Sequence, residues 1–225
     1  MEDLRWLGLD WDRGPGAGDK GELWVQSKRH AQGVYLRAWE ILRDLGLIYS
    51  CSKSRKELSA CSDRAPEALG GEVIFPKEWR GKLSEGDAMP GERNWRFRVN
   101  DAGKAMQVQD GNLGLGVFQP GRDYGDFLVW RRNGFPSYEL AVVVDDILMG
   151  ITEVVRGADL WVSTARQMEL YRAFSAATPK FFHCDLVRDA AGNRLAKRAG
   201  SLGVRALRES GTSPEAVFRM AEAQF

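Results

Sequence analysis

From Gly150 to His183 the chain reads as strand, helix, strand, and this order limits the fold more than any other feature. Ile151–Val155 is apolar and largely β-branched between Gly150 and Gly157, so it predicts a strand. Thr164 with Gln167 three places on predicts a capping box that opens a helix to about Ala176. Phe181-Phe182-His183 follows as a second short strand. Two strands joined through a helix pair in parallel, because the crossover returns the chain to the same end of the sheet. The expectation is an α/β layer with a parallel sheet. Ligands of such sheets sit beyond the carboxyl ends of the strands. Attention therefore falls on the segments after Val155 and after Phe182.

The remaining pattern is read around that unit. Asp126 to Arg131 predicts a strand and Asn133-Gly134 a turn, while Leu140–Val144 is β-branched and says strand by propensity alone. Ser27 is the expected N-cap of a helix running to about Leu45. Val34, Ala38, Ile41, Leu42 and Leu45 would form its inner stripe, and Gly46 its left-handed cap. A short helical turn ending at Gly8 opens the chain, and Ser213-Pro214-Glu215 starts a last helix towards Ala223. Between Tyr49 and about Tyr124 glycines, prolines and charges are dense and apolar runs are short. Within that stretch Trp95–Val99 alternates as a half-exposed strand would. The shifts of texture predict three parts: residues 1–48, an insert at 49–125, and 126–225.

Composition removes several function classes. The 32 Lys and Arg balance 31 Asp and Glu to a net charge of +1, which argues against a strongly basic nucleic-acid binder. No apolar run approaches the roughly 18 to 20 residues that span a bilayer. The opening Met1-Glu2-Asp3-Leu4-Arg5 is too charged for a secretory signal, so the expectation is a cytoplasmic protein. Cys51, Cys61 and Cys184 are odd in number and widely spaced, and they predict inert thiols rather than disulfides. His30 and His183, the two imidazoles, are not spaced as joint ligands, so no metal site is expected.

Three places have the residue types for chemistry. Arg156-Gly157-Ala158-Asp159 follows a strand, and an Arg there suits a two-pronged bond to a carboxylate. The plain alternative is a surface pair between Arg156 and Asp159. Gly192 to Ser201 carries Arg194, Lys197 and Arg198 between glycines, either a loop that closes over phosphates or a solvated turn. Asp145-Asp146 would hold magnesium, act as acid and base, or simply end a structural element.

Taken in order, these segments resemble the catalytic core of the glutamyl-tRNA synthetase family of class I aminoacyl-tRNA synthetases, with the short glutamyl-Q branch nearest in organisation. The resemblance rests on Glu2 to Trp11; on Gln26-Ser27, Arg29 and Tyr35; on Tyr49-Ser50-Cys51 with Arg55 to Leu58; and above all on Ser137 to Asp146, Gly150-Ile151-Thr152, Val155 to Leu160 and Ser163 to Gln167. It implies a class I synthetase-type Rossmann-like sheet with a small α+β insert, in which Leu140–Asp146 is a buried helix. It implies ATP, with magnesium as its counter-ion, as cofactor, and glutamate and a tRNA, tRNA-Asp, as partners, with no membrane or DNA. Tyr138 and Arg156 would contact glutamate and Asp159 the nucleotide side. Lys197 and Arg198, in place of the family's KMSKS-type loop, would face the ATP phosphates, with Lys197 stabilising their charge.

The departures from the family pattern carry expectations of their own. The family's zinc ligands fall on Cys51, Lys53, Phe75 and Trp79, so zinc should be lost and packing should replace it. The signature loop has Arg194 for the usual Lys and Ala196 for the usual Ser. Beyond it only Arg198 to Phe225 remains, which implies the glutamyl-Q arrangement without an anticodon-binding domain. The family's first strand and HIGH-type loop have no counterpart, so the sheet is expected to be incomplete at the N-terminus. Two functions fit: a ligase that activates glutamate, or an inactive remnant that binds RNA or a partner protein.

Overall fold

The structure, a computed structural model, describes residues 1–16, 24–61, 63–66, 69–81, 89–187 and 203–222. The chain divides into two compact units. One comprises Met1–Val25 with Asp185–Phe225, the other Gln26–Cys184. In the first lie α1 (Glu2–Trp6), and later in the chain α7 (Val204–Glu209) and α8 (Pro214–Glu222). Arg208 of α7 reaches Glu2 at 2.8 Å and Asp3 at 3.1 Å, which ties α1 to α7. The Ser213 hydroxyl accepts from the Ala216 N–H, as the expected N-cap should.

The larger unit runs α2 (Gln26–Ala31), α3 (Val34–Asp44), β1 (Ile48–Cys51), α4 (Arg55–Ser59), β2 (Asn94–Phe97), β3 (Met106–Asp110), β4 (Gly114–Phe118), β5 (Phe127–Trp130), α5 (Tyr138–Met149), β6 (Glu153–Gly157), α6 (Trp161–Ala173) and β7 (Lys180–Cys184). One sheet has the order β1-β2-β5 and is antiparallel. The other has the order β4-β3-β7-β6. In it β6 and β7 run parallel through five residue pairs, β3 joins β7 in parallel, and β4 folds back antiparallel on β3. This is the expected mixed α/β fold with parallel strands, and β6, α6 and β7 form its strand–helix–strand unit.

α5 shows how burial overrides propensity. Its Val142-Val143-Val144 run favours a strand. Yet the Ser137 hydroxyl accepts the Leu140 N–H at one end, and Gly150 closes the other at φ 64°, a left-handed turn that L side chains disfavour. Leu140, Val143 and Val144 then fall on one buried face. The helix packs on α6, α3 and β5. The core that results includes Leu42, Ile48, Met106, Phe118, Leu140 and Leu170, with Trp39 and Trp95 edge to face at 4.8 Å.

Four local expectations are corrected. The helix from Ser27 to Leu45 is two helices, split where Gly33 turns left-handed at φ 74°. Its inner stripe is Tyr35, Ala38, Trp39 and Leu42, whereas Ile41 and Leu45 are 49% and 55% exposed. Gly46 does adopt the left-handed conformation, at φ 67°. β2 is buried on both faces: Arg96 lies over the Phe75 ring at 4.1 Å and donates to the Asp126 carbonyl. Finally, α6 begins at Trp161, so Thr164 is inside the helix and caps nothing.

Candidate active site

The carboxyl ends of three neighbouring strands, β3, β7 and β6, bring Asp110, His183 and Arg156 side by side, with Arg156 and His183 register partners across β6 and β7. Asp110 ends β3 at an inward position. One carboxylate oxygen accepts from the backbone N–H groups of Leu113 (2.9 Å), Asn112 (3.0 Å) and His183 (3.2 Å). The other meets His183 Nδ1 at 2.6 Å. Burial raises the Asp110 pKa, but the Leu113 N–H, the imidazole and the other two N–H groups outweigh it and hold the carboxyl at about 2.

His183 is 0% exposed. Arg156 donates from Nε to His183 Nε2 at 3.1 Å and from Nη2 to Thr164 Oγ1 at 2.8 Å, and its guanidinium lies over Phe181 at 5.3 Å. A guanidinium only donates, so Nε2 must accept, and the imidazole proton sits on Nδ1 facing Asp110. Burial lowers the His183 pKa and Arg156 adds to that, against the pull of Asp110. The imidazole is a neutral link between a carboxylate and a guanidinium.

Around Arg156 stand groups from α5 and α6. Tyr138 is the first residue of α5 and 45% exposed; burial raises its phenol pKa while Arg156 opposes the shift. Asp146, two turns on, accepts from the Tyr171 hydroxyl at 3.0 Å. Burial raises the Asp146 pKa; the Tyr171 bond and Arg156 hold it back. Glu139 is buried and its pKa is raised by that burial, with Gln167 donating to it at 2.8 Å and Arg166 nearby. Arg166 also pairs with Glu72. Asp159, exposed in the short 3-10 turn after β6, acts electrostatically on His183.

Among the residues singled out from sequence, Tyr138 and Arg156 are thus brought together, with Asp159 close by. Lys197, Arg198 and the rest of the basic loop lie outside the described residues. Arg156 turns inward to His183 and Thr164 rather than lying on the surface. The adjacent acids part company. Asp146 faces Arg156, while buried Asp145 accepts from Gln26 and Tyr35 at 2.8 Å each and pairs with Arg29, clamping α2 and α3 to α5. Cys51 packs with Tyr49 and Phe75, Trp79 borders them, and Lys53 stacks on Trp79 at 4.6 Å. Of Cys51, Lys53, Phe75 and Trp79, Cys51 alone offers a metal-binding atom of the usual kind, its sulfur. Among the described residues no group of three or more His, Cys, Asp or Glu is placed to hold a metal ion, and no helix is long and apolar enough to cross a membrane.

The sequence reading gave no site role to Asp110, His183 or Thr164. A signal was present: Met106 to Asp110 alternates, and its inward set of Met106, Val108 and Asp110 ends in an acid. Phe181 and His183 likewise share the inward face of β7.

Residues 1–223 match the family described as tRNA synthetases class I (E and Q), catalytic domain. A glutamyl-Q tRNA(Asp) synthetase of Nitratidesulfovibrio vulgaris is 41% identical over 94% of this chain and 65% of its own length. One from Symbiobacterium thermophilum is also 41% identical, over 96% of this chain and 67% of its own. Glutamate–tRNA ligase 1 of Methylococcus capsulatus is 36% identical over 98% of this chain. The chain thus spans about two thirds of the glutamyl-Q relatives and 47% of that ligase. The crystal structure of glutamate-tRNA synthetase from Elizabethkingia anophelis superposes with a TM-score of 0.69 at 27% identity, covering 89% of this chain and 42% of that one. The chain belongs to the class I tRNA synthetase (E and Q) catalytic-domain family.

Proposed function

We propose that this chain carries the glutamate site of a glutamyl-Q type ligase, which uses ATP to activate glutamate and transfers it to tRNA-Asp. One observation carries the reading: Arg156 is held at the carboxyl end of β6 beside the half-exposed Tyr138. Its planar fork suits a carboxylate. Tyr138, whose raised pKa keeps the phenol protonated, supplies a hydrogen-bond donor to the same substrate. ATP, when bound, supplies the α-phosphorus under attack and pyrophosphate as leaving group. Asp159 would face the nucleotide, and Lys197 and Arg198 would stabilise charge on the phosphates by position alone, with no covalent bond to the protein. With a single thiol among Cys51, Lys53, Phe75 and Trp79, the reaction is proposed to run without zinc.

The test is glutamate-dependent exchange of labelled pyrophosphate into ATP, run on this chain and on any longer product of the same reading frame. Exchange that needs glutamate, and transfer of labelled glutamate to tRNA-Asp, support the proposal. Comparing tRNA-Asp with its queuosine-free form separates a nucleoside acceptor from a 3′ end. Absence of exchange from both proteins overturns it in favour of a catalytically silent RNA- or protein-binding chain.

A further inference from the structure

We propose that Asp110 and His183 are positioning residues for Arg156, which together with Thr164 fix its guanidinium in the orientation that presents the fork to a carboxylate. The inference rests on the glutamate site proposed above and adds what makes it rigid. An Arg side chain has four rotatable bonds before the fork, so a free one loses much rotamer entropy when it binds. Here that ordering is complete before substrate arrives. Nε is satisfied by His183, Nη2 by Thr164, and the plane rests on Phe181.

The chain of bonds has a direction. Asp110 is held by two backbone N–H groups of the turn between β3 and β4 and by the His183 N–H of β7, so its carboxylate cannot swing. It accepts the hydrogen bond of the His183 Nδ1–H, which leaves the Nε2 lone pair for Arg156. Thr164 Oγ1 lies 3.1 Å from the same Nε2 and bonds the Leu160 carbonyl at 3.3 Å, so its hydroxyl is anchored too. The charged groups that act on His183 are Asp110 from β3, Arg156 from β6 and Asp159 beyond it; the Trp161 and Phe181 rings flank it at 5.0 and 6.1 Å. A second proton on His183 would set a donor against a donor and a cation against a cation, and Arg156 would be released.

A purely structural role, in which His183 only pins β3 to β7, makes different predictions. His183→Asn keeps a donor near Nδ1 for Asp110 but has nothing at the place of Nε2. His183→Gln reaches the place of Nε2 with an acceptor and gives up the Asp110 bond. Positioning therefore predicts rescue by Gln and failure by Asn; pinning predicts the reverse.

The experiment is 15N NMR of the labelled chain with glutamate titrations of the three proteins. Two imidazoles in the sequence make the ring spectrum simple, and the His183 variants assign it. The expected wild-type result is an Nδ1–H tautomer at His183 with a midpoint below about 6.5, and a distinct, exchange-protected Arg156 Nε–H signal, identified by Arg156→Lys. His183→Asn should lose that protection and weaken glutamate binding by about tenfold or more, while His183→Gln stays within about threefold of wild type. An Nε2–H tautomer in the wild type overturns the proposal even if both variants fail to fold, as does equal Arg156 protection in all three proteins. If Arg156 behaves as expected and the wild type binds no glutamate, the glutamate site falls and the positioning of Arg156 stands.

Discussion

Asp110→Asn tests the buried end of the site through stability. Asp110 is 3% exposed and its carboxyl is held at about 2, against about 3.9 in an unfolded chain. At about 1.4 kcal/mol per pKa unit, the difference contributes roughly 2.5 kcal/mol to folding. The folded value lies below the unfolded one, so this contribution is complete above about pH 4 and is lost as pH falls towards 2. The variant has no carboxyl and lacks that part of the pH dependence. Urea unfolding at pH 7, 5, 4 and 3 should show a gap of about 2–3 kcal/mol at the upper values that narrows at the lowest, with melting lowered by roughly 5–10 °C at pH 7. The amide also meets His183 with an N–H where the carboxylate accepted, which pushes the imidazole proton to Nε2 and against Arg156. Weaker glutamate binding should therefore accompany the stability loss. A gap that stays constant from pH 7 to 3 would refute the reasoning, because Asp110 would then stabilise the fold without its charge.

Asp145→Asn leaves Arg29 buried without its counter-charge between α2 and α5, and unfolding experiments should show a loss of about 3–5 kcal/mol. Gly116→Ala drives a Cβ into the Trp161 ring, which packs edge-on to Phe118 and His183. Overpacking should cost about 1–3 kcal/mol and shift the Trp161 contribution to fluorescence; unchanged melting and emission would contradict the packing described.

Local chemistry made much of this fold readable. The existence of β6, though it runs Glu153–Gly157 rather than the expected Ile151–Val155, the strand at β7, the Ser213-Pro214 start of α8 and the left-handed Gly46 all follow from residues close in the chain. The helical state of α5 did not follow from its valines; it came from the likeness of Ser137–Asp146 to a family pattern, and Ser137 and Gly150 supply its physical cause. What stayed hidden was long-range. Asp110 and His183 lie 73 residues apart, and Tyr35 and Asp145 lie 110 apart. Thr164 spaced with Gln167 satisfies the pattern of a cap, yet each side chain is claimed by tertiary partners: Arg156 for one, Glu139 for the other. Arg96 reads as solvent-facing by period, but Phe75 and the Asp126 carbonyl make a buried place for it. Of the candidate site, Arg156 was visible from the residues themselves and Tyr138 through the family likeness. The Asp110–His183 support for Arg156 was not.

The central claim, that Arg156 holds a carboxylate of glutamate, is tested most directly by calorimetric titration of glutamate into the wild-type chain and into Arg156→Lys. Lys keeps the charge and loses the fork, so the account predicts binding to the wild type and a loss of about 10- to 100-fold in the variant, with thermal unfolding little changed. Equal affinity in the two proteins would contradict it.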